Sequence, residues 1–327
     1  MIEEPLSTSE KLTSLGIGLV ATAAVIELAF RVLLPAPTGF TNESDAYPTN
    51  PRGYFEELRQ EDGAPVYGVP LALAPHTGER IGTPSKPAAA PRILGLGDSQ
   101  GMGQGVRFED TAFDLMASML EDEGIDARVI NRSVRGYDID EVVDRAKREL
   151  SAASYDLVIY WLVLDDFGLA MPPRPERTPS ISAAAEFFSH TAAQWAVSTQ
   201  TTQAYLDAFT GLSLEHGTQK LRELESLVAS HDAQLLVAVM PLLYDFERYP
   251  FSEIHTTLRD TCQSTGIRCL DLLEALYDQP AASLWVHSID HHPNERAHHA
   301  IAESMTEAIV RGGLLVASQG ATEPVVP

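Results

Sequence analysis

Basic residues are scarce in this chain. Lysine and arginine number 23 against 46 aspartates and glutamates, a formal net charge of −23. A surface this negative repels phosphate backbones and anionic headgroups, so nucleic acid is set aside as a partner. Cysteine is rarer still: Cys262 and Cys269 stand alone in T-C-Q-S-T-G-I-R-C. No C-x-x-C or paired histidine accompanies them, so there is no zinc pattern and no metal is expected. Their spacing suits two buried thiols, or a short disulfide loop joining a helix end to the next strand in an oxidising compartment. Aromatic residues make up only 7% of the chain, and it has no internal repeat or low-complexity tract. With 327 residues and 44% hydrophobic content, the composition is that of a globular protein with a sizeable core, neither disordered nor fibrous.

What is present begins with an apolar run, Leu12–Leu34. As a helix it would extend roughly 34 Å, enough to span a bilayer. Glu27 and Arg31 interrupt it, but at i and i+4 they can pair on one face. Glu3, Glu4 and Glu10 precede the run and carry the wrong charge for a secretory signal. The expectation is a short tail over 1–11 and an uncleaved transmembrane anchor over 12–34. That makes a single-pass membrane protein whose main domain lies outside the cytoplasm. Residues 35–91 hold 10 of the 21 prolines and predict a linker with an irregular lead-in. A main domain over 92–312 and a tail over 313–327 follow.

Within the main domain, short apolar runs alternate with amphipathic stretches. Strands are predicted at Ile93–Gly97, Arg128–Asn131, Leu157–Val163, Gln234–Met240 and Ile267–Leu270. Helices are predicted at Ala112–Asp122, Asp140–Leu150, Thr218–His231, Ser252–Thr265 and Asn294–Val310. Strands this apolar, each followed by a helix, predict a parallel sheet covered on both faces. Residues 168–217 break the alternation and read as a partly helical insertion, either packed on the domain or walling a site.

In such a sheet, ligands bind beyond the carboxyl ends of the strands. Ser99, in G-L-G-D-S-Q-G-M-G-Q-G, falls just after the first strand. A serine hydroxyl needs a base, and the base an orienting acid. His292 is the candidate base and Asp290 its partner, in D-H-H-P-N, a stretch that predicts a loop entering a helix. Five histidines crowd 287–299, so a solvated helix face or a weak metal patch is the competing reading. Gly136, in N-R-S-V-R-G-Y-D after the second strand, would let main-chain N–H approach a developing oxyanion.

These blocks, together with L-D-D-F after the third strand, resemble the SGNH or GDSL hydrolase superfamily in order and spacing, from about Arg92 to Arg311. The E-x-x-x-R anchor, P-L-L-Y-D-F-E-R-Y-P and the H-P-N ending look like its membrane-anchored bacterial branch, similar in layout to acetyltransferase-like proteins of exopolysaccharide modification. The resemblance implies a three-layer α/β/α, flavodoxin-like domain with a mainly parallel five-stranded sheet and no cofactor. It implies Ser99 as nucleophile and one oxyanion donor, Gly136 as the second donor, His292 as general base and Asp290 as its orienter. The sequence departs from the pattern at Asp165, where the family places an asparagine as third donor. An ionised carboxylate only accepts hydrogen bonds, and losing one such donor costs on the order of a hundredfold in rate. Asp165 next to Asp166 in a partly buried site would restore a donor if it held a proton. Gly101 and Met102 stand where that branch carries bulkier residues, which implies a wider mouth. The implied function is an esterase removing acyl, for instance acetyl, groups from an envelope glycan or lipid. An acyltransferase with the same triad and a non-catalytic glycan-binding or scaffold protein are the alternatives.

Overall fold

The structure, a computed structural model, describes residues 8–33, 56–59, 65–68, 90–168, 182–287 and 290–315. The expected C-terminal tail beyond 315 lies outside them, as does most of the lead-in. The chain divides into two compact units, Met1–Ala46 with Met171–Thr202, and Tyr47–Ala170 with Gln203–Pro327.

In the first unit, α1 (Thr8–Leu33) is a 26-residue helix. Glu27 and Arg31 form the anticipated i, i+4 pair at 2.8 Å. Glu27 also accepts hydrogen bonds from the Ser182 hydroxyl at 2.8 Å and the Ala184 amide at 3.2 Å. Leu19, Val20, Val25 and Leu28 are exposed. Among the described residues, no helix is long and apolar enough to cross a membrane, so the transmembrane anchor over 12–34 is not shown.

In the second unit, the described part of the lead-in forms two short antiparallel strands, β1 (Glu56–Arg59) and β2 (Pro65–Gly68). Only irregular chain was anticipated there, because four-residue strands are too short to show a period. The main sheet comprises β3 (Arg92–Leu96), β4 (Arg128–Asn131), β5 (Leu157–Val163), β6 (Gln234–Met240) and β7 (Arg268–Asp271). All are parallel, in the order β4-β3-β5-β6-β7, which is a doubly wound order of the flavodoxin kind. L-V-I-Y-W-L-V of β5 is buried along its whole length, as a central strand covered on both faces must be. The chain reverses its winding between β3 and β5, and that switch point is where such sheets bind ligands.

The helices are α2 (Ser99–Met102), α3 (Ala112–Asp122), α4 (Ile139–Ala152), α5 (Ala183–Ala208), α6 (Gly211–Ala229), α7 (Ser252–Thr265), α8 (Leu273–Leu276) and α9 (Glu295–Gly312). Two apolar clusters result, one for each set of alternating strand residues. In one, Phe113 and Met116 of α3 and Ile301 and Met305 of α9 join Ile93, Ile159 and Trp161. In the other, Val142 and Val143 of α4, Leu221 and Leu224 of α6 and Leu258 of α7 join Leu94, Val158 and Tyr160. Each such fully buried side chain contributes about 1.5–3 kcal/mol of transfer free energy. Ile139, Val142, Val143, Ala146 and Leu150 recur at helical spacing on α4, and a capping box between Asp138 and Glu141 starts that helix.

Three elements differ from expectation. The insertion contains α5, whose length the mixed composition of 183–208 did not announce. Helix α6 begins at Gly211, seven residues before the predicted start. The D-H-H-P stretch is a strand, β9 (Asp290–Pro293), paired antiparallel with β8 (Trp285–His287). Cys262 and Cys269 are joined in a disulfide with Cα atoms 6.1 Å apart, tying the end of α7 to β7, and this decides against the two-thiol reading.

Candidate active site

β3 ends at Leu96, and after Gly97 Asp98 turns the chain into the short helix α2. Its carboxylate accepts from the amides of Gln100 at 2.8 Å and Gly101 at 3.4 Å. Ser99 is therefore the first residue of α2, half-buried at the carboxyl end of β3. Gly101 lies so close to the sheet that a Cβ would sit 3.0 Å from the Ser133 hydroxyl and 3.2 Å from the Trp161 Cβ. Gly101 and Met102 are both buried, so the wider mouth implied at these positions is not found: Trp161 and Ser133 occupy that space.

His292 reaches the same point from β9. Its Nε2 lies 2.9 Å from the Ser99 Oγ. Its Nδ1 is hydrogen-bonded to the Asp290 carboxylate, which also accepts from the His292 amide at 3.1 Å. Strand geometry explains the reach, since residues i and i+2 of β9 lie on one face. Asn294 locks this strand to α9. Its amide nitrogen donates to the carbonyls of Ser283 at 2.9 Å and Trp285 at 3.1 Å, while its oxygen caps the amides of Arg296 and Ala297. The ring of His291, exposed between the two, stacks on Trp285 at 3.9 Å.

Burial disfavours a charged His292, but the Asp290 carboxylate, by hydrogen bond and charge, and then Asp98 outweigh it. The imidazole is held above its ordinary range, with Arg135 acting in opposition. A hydroxyl, an imidazole and a buried carboxylate in this order can carry a proton from oxygen to ring while the acid fixes the ring's tautomer.

The loop after β4 supplies the second wall. Asn131 spans to α2, its amide nitrogen donating to the Gly101 carbonyl at 2.8 Å and its oxygen accepting from the Ser133 amide at 3.0 Å. Gly136 follows at φ +73°, a left-handed conformation that favours glycine. At the far end of the loop, the Ile139 amide donates to the Asp166 carbonyl at 3.2 Å, tying the loop to the turn after β5.

That turn carries Asp165 and Asp166, and their environments differ. Asp166 is buried and accepts from the Tyr160 hydroxyl at 2.7 Å and the Val163 amide at 2.9 Å. Burial, with Asp98 and Asp165 adding, pushes its carboxyl well up. Asp98 is pushed up to about 6, first by burial and then by Asp165. Asp165 is exposed. Desolvation still pushes its carboxyl upward, while its own backbone amide and then His292 draw it back, and solvent limits the shift.

Sequence reasoning did not reach Asn131, Asn294 or Tyr205. Each donates to backbone carbonyls of another segment, and only their places, Asn131 opening N-R-S-V-R-G-Y-D and Asn294 closing D-H-H-P-N, hint at them. Tyr205, on α5, feels the charges of Asp165, Asp98 and Asp166, though burial is the first cause of its raised pKa.

No family model and no curated protein matches the chain. Solved structures do. TesA is 16% identical with a TM-score of 0.47, covering 68% of this chain and 99% of its own. The psychrotrophic esterase EstA from a Pseudoalteromonas species is 15% identical at 0.45, over 68% of this chain and 97% of its own. A catalytic mutant of the acetylxylan esterase Axe2 from Geobacillus stearothermophilus is 13% identical at 0.44, over 69% and 96%. Likeness this distant brings no chemistry with it.

Proposed function

We propose that the chain is a serine ester hydrolase working through an acyl-enzyme on Ser99. One observation carries this reading: Ser99, His292 and Asp290 form a continuous hydrogen-bonded array at the switch point of a parallel sheet. In the first half-reaction the Ser99 oxygen attacks the ester carbonyl carbon, and its proton passes to His292 Nε2. Asp290 steadies the imidazolium. The tetrahedral intermediate collapses by breaking the bond to the alcohol oxygen, which takes the proton from His292. Water then repeats the sequence on the acyl-enzyme, releasing the carboxylic acid and restoring Ser99. The amides of Ser99 and Gly136 are the oxyanion donors. Asp165 supplies no donor while ionised, and the upward push on its carboxyl favours the protonated form, which can donate.

The disulfide supports an oxidising location. The exposed apolar side chains of α1 and the run at 12–34 support attachment to a membrane, although among the described residues no helix is long and apolar enough to cross one. On that location, the substrate is an acyl ester of an envelope glycan or lipid. Turnover of p-nitrophenyl acetate by the full chain tests the chemistry. The reading expects activity in the native protein and none in Ser99→Ala, and equal rates in the two would refute it. A polysaccharide hydroxyl outcompeting water as acceptor would redefine the protein as an acyltransferase on the same array.

A further inference from the structure

Helix α2 is only four residues long, too short to hold its own position by internal hydrogen bonds. It carries Ser99, while Gly136 sits on a different segment, the loop after β4. The start of that loop is pinned to the end of β3. The Arg132 amide donates to the Gly95 carbonyl at 2.7 Å, and the Val134 amide to the Gly97 carbonyl at 3.0 Å. Beyond Gly97 the chain turns into α2, and Asn131 makes the connection there. Its half-buried side chain donates to the Gly101 carbonyl at 2.8 Å and accepts from the Ser133 amide at 3.0 Å. These partners fix which end of the side chain is nitrogen, since the flipped amide would set acceptor against acceptor and donor against donor.

Little slack surrounds this bridge. A Cβ on Gly101 would meet the Ser133 hydroxyl at 3.0 Å, and one on Gly97 would meet the Trp161 carbonyl at 3.0 Å. The Ser99 turn and the Gly136 loop are therefore joined twice, by packing at Gly101 and by hydrogen bonds through Asn131. Oxyanion donors act only within a narrow range of distance from the developing charge, and a displacement of about 1 Å costs on the order of a hundredfold in rate. We propose that Asn131 is a positioning residue, fixing the Gly136 loop to the Ser99 turn and so setting the separation of the two amides that receive the substrate oxygen. The proposal rests on the esterase reading above and adds a residue to that same site.

The test is kcat and KM for p-nitrophenyl acetate in the native full chain, in Asn131→Ala and in Asn131→Asp. Aspartate keeps the size of the side chain and the acceptor for Ser133, but an ionised carboxylate has no donor for the Gly101 carbonyl. Both variants are expected to lose about tenfold to a hundredfold in kcat, with KM changed less than about twofold. A residue that only filled space would tolerate aspartate. A kcat within about twofold of native in either variant, or a loss carried by KM, overturns the positioning role while leaving ester hydrolysis in place. A second measurement does not depend on turnover: hydrogen–deuterium exchange of peptides covering 97–106 and 131–139 in the native chain and in Asn131→Ala. Both peptides should exchange faster in the variant, with those of α7 unchanged. That result supports the bridge even if no ester is hydrolysed, in which case it is the esterase reading that fails. Unchanged exchange in either peptide, or an equal rise in α7, overturns the bridge.

Discussion

Among the described residues, two arrays of carboxylate, imidazole and hydroxyl stand out. In one, Asp290 holds His292, which lies 2.9 Å from Ser99. In the other, Asp271 holds His255 Nδ1 at 2.8 Å, and His255 Nε2 lies 3.2 Å from the Tyr249 hydroxyl, which also accepts from the Leu242 amide at 3.1 Å. The groups are alike and their access is not. The His255 side chain is 1% exposed against 24% for His292. Tyr249 is packed among Phe246, Phe251 and His255, and burial raises its hydroxyl pKa. Its oxygen is spent on holding the segment after β6. Ser99 instead ends its array at a half-open sheet mouth, where a substrate carbonyl can approach. The residue set alone therefore does not define a catalytic site. On the proposed reading, position at the switch point and an accessible terminal hydroxyl separate a reactive array from a structural brace.

The sharpest way to break that distinction is to remove the hydroxyl or the base-orienting acid. Ser99→Ala is expected to lower kcat/KM for p-nitrophenyl acetate by about a thousandfold or more, with the unfolding midpoint nearly unmoved. Asp290→Asn should cost about a hundredfold to ten-thousandfold. Asp290 is also the main group raising His292. The native pH–rate profile should therefore climb above the usual imidazole range, and Asp290→Asn should move the climb to lower pH.

The brace should answer oppositely. His255→Ala leaves Asp271 and Tyr249 without their shared partner and should cost about 2–4 kcal/mol in denaturant unfolding. Hydrolysis per folded molecule should change by less than about threefold. A thousandfold loss of activity there would show that both arrays serve the reaction.

A smaller effect tests the charge balance around the site. Asp98 is pushed up to about 6 from an ordinary 3.8. The folded state then binds the proton more tightly than the unfolded chain, so this stability is fully present below about pH 4 and is lost as pH rises through 6. Asp98→Asn keeps the helix-capping oxygen and cannot ionise. Its unfolding free energy relative to native should therefore rise by about 1–3 kcal/mol between pH 4 and pH 7, as read from urea unfolding at the two values.

Much of this architecture was legible in the sequence because it is written in long apolar runs. Leu157–Val163 and Gln234–Met240 coincide with β5 and β6, since a strand buried on both faces leaves no other reading. The ends of polar strands were not legible. Asp290 and His292 read as a loop because D-H-H-P has no apolar period; it becomes a strand only by pairing with Trp285–His287. The G-D-S and D-H-H-P blocks pointed to Ser99, Asp290 and His292, but a one-dimensional pattern cannot show a hydrogen bond across 193 residues. It also cannot show that Asp165 is exposed while its neighbour Asp166 is buried. Tyr205 was invisible for a related reason: the helix that carries it has no motif.

The most direct test of the account is to trap the acyl-enzyme. The full chain is mixed with p-nitrophenyl acetate, quenched in acid within the first turnover, digested and weighed by mass spectrometry. One acetyl group on the peptide containing Ser99, absent when His292 is replaced by alanine, is the result the account requires. Release of p-nitrophenol with that peptide unmodified, or with acetyl carried equally by surface lysines in both proteins, would contradict it.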